Sequence, residues 1–188
     1  MKTFLSLRDC LGLDKIDRLL YAATVSIQQA TGSGPSNTTI TNLRFNTDDT
    51  ANPGSANPMV KPTSGTNRSY SKTIYLNADT TPSGTINNVK IYCDGSIGWT
   101  GCTLYIGASS TYTQASGTSG TTGDDSSVAT ANIERYSALA SAKLISGSIN
   151  NPSTGKISDY IVMQVDVSTS ANAGTLATET LTIAYDET

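Results

Sequence analysis

The sequence predicts an all-β protein, an antiparallel β-sandwich of jelly-roll or immunoglobulin-like type carrying a short N-terminal helical arm. Three observations point there. Hydroxyl residues dominate, with 29 Thr and 24 Ser among 188 residues. The Val, Ile, Leu and Tyr residues gather in short runs that alternate with polar residues, which is the period of a half-buried strand. Clusters of Gly, Pro, Asn and Asp interrupt these runs at short intervals, as turns do. Only 37% of the chain is hydrophobic, yet a two-layer core needs only every second residue of each strand. The length fits one large β-domain with an arm, so the expected division is an arm over residues 1–20 and a sandwich over residues 21–188.

Residues 1–20 differ from the rest. They hold Lys2, Arg8, Lys15 and Arg18, four of the twelve basic residues, and much of the leucine. Leu13, Ile16 and Leu20 fall at i, i+3 and i+7 with Leu19 beside them, one face of a short helix. Asp14 and Asp17 suit the positive end of its dipole and Arg18 the other end. A helix this short is marginal alone, so its apolar face must dock, either on its own domain or on a neighbouring subunit or different protein. The charges at Arg8, Asp9, Asp14, Lys15, Asp17 and Arg18 interrupt the apolar run, which argues against a secretory leader. No segment approaches the roughly 20 apolar residues that span a bilayer. No membrane role is expected, and assembly in a cytoplasm is.

From Tyr21 the period changes from 3.6 to 2. Thr24–Gln28 reads as a strand broken by Gly32-Ser33-Gly34-Pro35. Thr39–Phe45 reads as the next, with Ile40 out of phase with Leu43 and Phe45. Asn46–Lys61 is a long connection. Ser69–Leu76 is a strand with Tyr70, Lys72, Ile74 and Leu76 in phase. Thr85–Cys93 follows; Asp94-Gly95 signals a turn, and Thr103–Ile106 is the expected hairpin partner. Residues 107–127 form a Gly/Ser/Thr loop too polar to bury. Ala129–Leu144 mixes helix and strand signals. Asp159–Val167 and Glu179–Tyr185 are the clearest strands. Seven to nine strands are expected.

Composition restricts the chemistry. The chain has no histidine, which removes the commonest general base and metal-ligating side chain and excludes a Ser-His-Asp or Cys-His site within one chain. The net charge is −3 and no stretch is densely basic, which disfavours nucleic acid as the main partner. The glycines lie between strands, not before a helix that would cradle a phosphate. Neither an enzyme nor a cofactor is expected. Cys93 and Cys102 flank the predicted hairpin, either as reduced thiols or as a bridge. The acid pairs Asp48-Asp49 and Asp124-Asp125 lie in oxygen-rich loops, where the choice is between solvated acids and a calcium site. Trp99, the single tryptophan, stands in the Cys93–Cys102 connection, either folded over the core end or exposed as a partner anchor or sugar platform.

Three stretches carry a resemblance: Asn42–Pro62 (NLRFNTDDTANPGSANPMVKP), Gly84–Gly107 (GTINNVKIYCDGSIGWTGCTLYIG) and Ser158–Thr188 (SDYIVMQVDVSTSANAGTLATETLTIAYDET). Their style resembles small β-sandwich virion proteins of tailed phages, of the kind that decorate or cement capsids. The resemblance implies a structural protein, a homo-oligomer present in many copies in the virion, that binds the major coat protein or another virion protein through a terminal arm or loop. On it, Leu13, Ile16, Leu19 and Leu20 are the expected apolar contact. Two further readings stand beside it. One is a carbohydrate-binding module using Trp99 with Tyr92 or Tyr105. The other is a filament subunit whose terminal segment completes the sheet of the next copy.

Overall fold

The computed structural model describes residues 23–188. The helical arm expected over residues 1–20, with Leu13, Ile16, Leu19 and Leu20, lies outside the described residues. Thirteen strands follow in chain order: β1 (Val25–Thr31), β2 (Ser36–Thr39), β3 (Thr66–Arg68), β4 (Lys72–Ala78), β5 (Ile86–Tyr92), β6 (Cys102–Ser109), β7 (Gly117–Thr118), β8 (Thr122–Gly123), β9 (Ala131–Asn132), β10 (Lys143–Ser146), β11 (Gly155–Lys156), β12 (Tyr160–Ser168) and β13 (Thr182–Glu187). The described helical content is two 3-10 turns, Ile133–Arg135 and Leu139–Ser141. The protein is all-β and every strand pairing is antiparallel.

An eight-stranded sheet runs β2-β1-β4-β12-β6-β9, with β11 attached to β4 and β3 to β12; a three-stranded sheet runs β10-β5-β13; β7 and β8 form a small hairpin. Both larger sheets feed one apolar cluster. Ile74 and Leu76 of β4, Leu104 and Ile106 of β6, and Ile161, Met163 and Val165 of β12 join Ile86, Val89 and Ile91 of β5 and Ile145 of β10. Each such side chain contributes roughly 1.5–3 kcal/mol by leaving water. In β4, β6 and β12 the cluster follows from period two, since alternate residues reach it; in β5 the phase shifts between Ile86 and Val89, where Asn88 takes φ +52.

The period-two reading located β1, β4, β5, β6, β12 and β13, but some pairings and boundaries differ. The run Thr39–Phe45 is not a strand. The turn opened by Gly32, at φ +82, sets a hairpin in which Thr31 pairs Ser36 and Gln28 pairs Thr39, so β2 ends at Thr39. The ladder gains one more bond, from the Ile40 amide to the Ile27 carbonyl at 3.0 Å. Leu43 and Phe45 reach the core from irregular backbone.

The second correction concerns β6. It does not fold back on β5; the two lie in different sheets. Gly95 makes the expected turn, at φ +99, but the chain then crosses the core edge. β12 offers β6 eight consecutive register partners, Tyr160↔Ser109 through Val167↔Cys102. The Cys93 amide is meanwhile held by the Tyr136 carbonyl at 2.9 Å. The ambiguous stretch Ala129–Leu144 uses both of its signals. Ile133 is buried in a 3-10 turn whose Asn132 cap accepts from the Glu134 amide, and Lys143–Ser146 is a strand.

β4 and β12 are buried on both faces. One face of each meets the core. The other lies beneath the Gly/Ser/Thr segment 109–128.

Candidate functional site

Two segments, the irregular 46–62 and 109–128 with its small β7–β8 hairpin, shape the surface around β4 and β12, and buried polar side chains hold both. In the first, the Thr47 amide and hydroxyl donate to the Asn57 carbonyl at 2.8 and 3.0 Å. Asp48 Oδ2 accepts from Asn57 Nδ2 at 2.9 Å, and Asp49 Oδ2 accepts from the Gly32 amide at 2.9 Å. From below, Lys72 Nζ donates to the carbonyls of Asp48 at 2.6 Å and Thr50 at 3.4 Å. Lys72 is 1% exposed. Burial pushes its ammonium down to about 8, against the opposing pull of Asp49 and Asp48. A resident cation therefore sits among the carbonyls of this loop.

The second segment lies on the outer face of the eight-stranded sheet. Gln164, buried in the middle of β12, organises it. Its Nε2 donates to the Ser69 carbonyl at 2.9 Å and the Asp124 carbonyl at 2.7 Å, and its Oε1 accepts from the Ser126 amide at 2.9 Å. Ser126 Oγ in turn accepts from the amides of Val128 and Ala129. Two glycines permit the close approach. A Cβ at Gly107 would collide with the Val128 carbonyl, and one at Gly123 with the Ser69 carbonyl. Tyr112 closes the far end, donating from its hydroxyl to the Gly32 carbonyl at 2.9 Å and setting its ring edge-on to Tyr160 at 5.9 Å.

Between this segment and the sheet lies a pocket of about 120 Å³ lined by Val162 and Val128 and by Thr113, Gln114, Ser116 and Asp124, among other hydroxyl and carboxylate residues. Asp125, on its rim, pairs with Arg68 at 3.2 Å; Arg68 also reaches Asp166 at 3.3 Å. Burial pushes the Asp166 carboxyl up while Arg68 opposes the shift.

The structure thus places the expected acids as follows. Asp48, Asp49 and Asp124 converge electrostatically on Tyr70, whose phenol is raised first by burial and then by these three charges. The link between their loops is the Gly120 amide, which donates to the Thr47 carbonyl at 3.1 Å. Among the described residues no three His, Cys, Asp or Glu side chains are grouped to hold a metal ion. Cys93 and Cys102 are both free thiols, buried and half-buried. The hairpin that was expected to bring them together does not form.

Trp99 is half-buried and packs against the core cluster. Its Nε1 donates to the Ala177 carbonyl at 2.7 Å and its ring meets Phe45 edge-on at 6.3 Å. Tyr92 and Tyr105 do not join it in a platform; they lie in different sheets, opposite Thr182 and Gln164. Trp99→Ala is expected to cost about 2 kcal/mol through the lost hydrogen bond and ring contacts. That corresponds to about 4–8 °C in Tm for a chain of this size, measurable by calorimetry. An unchanged Tm would mean that the indole contributes nothing to the fold.

No family model, no curated protein and no solved structure matches this chain.

Proposed function

We propose that this protein is a structural component of a virion, a capsid decoration protein that binds the coat protein and stabilises or decorates the shell in many copies. The observation that carries the proposal is the use made of buried polar groups. Lys72 and Gln164 both point from the sheet into the segments that cover it and hold them by hydrogen bonds to backbone. Loops fixed in this way are contact surfaces of constant shape, which suits a protein that works by fitting against neighbours. The two-layer sandwich reading is supported by the single cluster to which both larger sheets contribute. The likeness of the three quoted stretches to tailed-phage decoration proteins agrees with it.

Attachment runs through the stretch with Leu13, Ile16, Leu19 and Leu20. This stretch joins the body at Ala23, whose amide donates to Glu187 Oε2 at 3.1 Å at the end of β13. Leu144, in the same three-stranded sheet, is 54% exposed, and Leu139, in the turn before β10, 53%. In this reading they are the apolar side chains of the body that a contact with the coat protein would cover. Modest affinity per copy then becomes firm attachment through neighbouring copies on the shell.

The test is to mix the full chain, and a variant lacking residues 1–20, with empty shells of the major coat protein. Co-sedimentation of the full chain at regular stoichiometry, reduced at least tenfold in the variant, is expected. Undiminished binding of the variant defeats the arm assignment, and a full chain that never sediments with the shells defeats the virion reading.

A further inference from the structure

We infer that the pocket on the outer face of the eight-stranded sheet, between Val162 and the segment 109–128, is a binding site for one ring of a neutral sugar. Its size fits that ligand. About 120 Å³ corresponds to roughly ten water positions at 10–15 Å³ each, room for a single pyranose and not for a longer chain inside.

Its chemistry fits as well. A pyranose presents a C–H face and a rim of vicinal hydroxyls. The lining offers the methyl groups of Val162 and Val128 together with the hydroxyls of Thr113 and Ser116, the carboxamide of Gln114 and the carboxylate of Asp124. A carboxylate accepts from two adjacent hydroxyls, while a carboxamide both donates and accepts. These four side chains are exposed and make no hydrogen bond or ion pair among the described residues.

Rigidity separates this pocket from an ordinary hydroxyl-rich loop. The segment is held by its backbone and by side chains beneath it. Gln164 grips Asp124 and Ser126, Ser126 Oγ grips Val128 and Ala129, and Asp125 pairs with Arg68. The backbone that carries these polar groups is thus fixed while the groups themselves are unengaged, so a ligand has only side-chain rotamers to order on binding.

Charge selects the sugar. Arg68 is shared between Asp125 and Asp166, and Asp124 and Asp125 both line the pocket, so acidic residues outnumber basic ones there and uronic and sialic acids are disfavoured. The only nearby ring of the segment, Tyr112, is engaged with Tyr160, so no aromatic platform adds to binding. A single site is therefore weak, on the order of millimolar. Only the gain from many copies on one particle rests on the virion reading; the site itself does not, and it is measured without shells.

The experiment displays the full-length protein on beads over an array of neutral, N-acetylated and acidic glycans. It is followed by saturation-transfer NMR of soluble protein with the best monosaccharide. Asp124→Ala and Gln114→Ala remove exposed side chains without internal partners, so both variants keep the fold, checked by circular dichroism. Binding to neutral glycans, at least tenfold weaker in each variant and unchanged by EDTA, is the expected result. The inference is overturned if no glycan binds, if both variants bind as well as the parent, or if EDTA abolishes binding. It is equally overturned if Trp99→Ala abolishes binding that Asp124→Ala leaves intact, since the sugar would then sit at the tryptophan.

Discussion

Gln164→Leu is expected to destabilise the protein by about 4 kcal/mol, equivalent to a fall of about 10 °C in Tm. The substitution keeps the bulk of the side chain and removes its three hydrogen bonds, to the Ser69 carbonyl, the Asp124 carbonyl and the Ser126 amide. Each backbone group left buried without a partner costs about 1–3 kcal/mol. The loss is local as well as global. The segment 109–128 loses its central tie to the sheet, so limited proteolysis should cut it well before the rest unfolds. A drop below about 1 kcal/mol, with the segment still protected, would show that Gly107, Gly123 and Tyr112 hold it without Gln164.

Stability should rise as pH is raised from about 8 toward 10, and Lys72 is the cause. Its folded pKa is about 8 against an ordinary 10.5. Between those values the unfolded chain binds a proton that the folded chain does not, so unfolding becomes harder as pH increases. Below pH 8 both states carry the charge and the full penalty of burying it is present, about 3 kcal/mol by linkage. Above about 10 the sign reverses. Burial pushes the Tyr112 phenol up to about 12, and Tyr70, Tyr75 and Tyr185 are raised in the same way. The unfolded chain then releases phenolic protons that the folded chain retains, and stability falls. Urea midpoints measured from pH 7 to 11 should pass through a maximum near pH 10. In Lys72→Met the rise should vanish while the fall at high pH remains. A rise that persists in the variant would assign it to another group.

Both side chains show where local pattern stops being informative. Lys72 falls in phase with Ile74 and Leu76, and the alternation of β4 is visible without coordinates. Nothing local says that a lysine in that phase will point under the segment 46–62 and meet the carbonyls of Asp48 and Thr50. Gln164 interrupts an apolar run, Ile161 to Val167, in a strand buried on both faces. Gly107 interrupts β6. A glutamine inside such a run and a glycine inside a strand are the two signals in the sequence that mark a backbone lying close against the sheet. Without them the low-complexity stretch reads as plain solvent-facing loop. Most of its residues are indeed exposed, yet it is anchored. The pocket was not legible at all, because its residues come from Ser71 before β4, from β6, from β12 and from the segment 109–128, and only folding brings these together.

What the order of residues determined alone is the local character of the chain. Its period of two made strands of β1, β4, β5, β6, β12 and β13, its turn residues separated them, and its lack of histidine removed a whole group of chemistries. Only the tertiary structure decided which strands are neighbours. β5 and β6 are separated by a turn signal in a connection bounded by Cys93 and Cys102, yet they end in different sheets. Alternation specifies which side of a strand is apolar but not which other strand will complete its hydrogen bonds. That choice went to β12, which is distant in sequence and can satisfy the whole length of β6 at once.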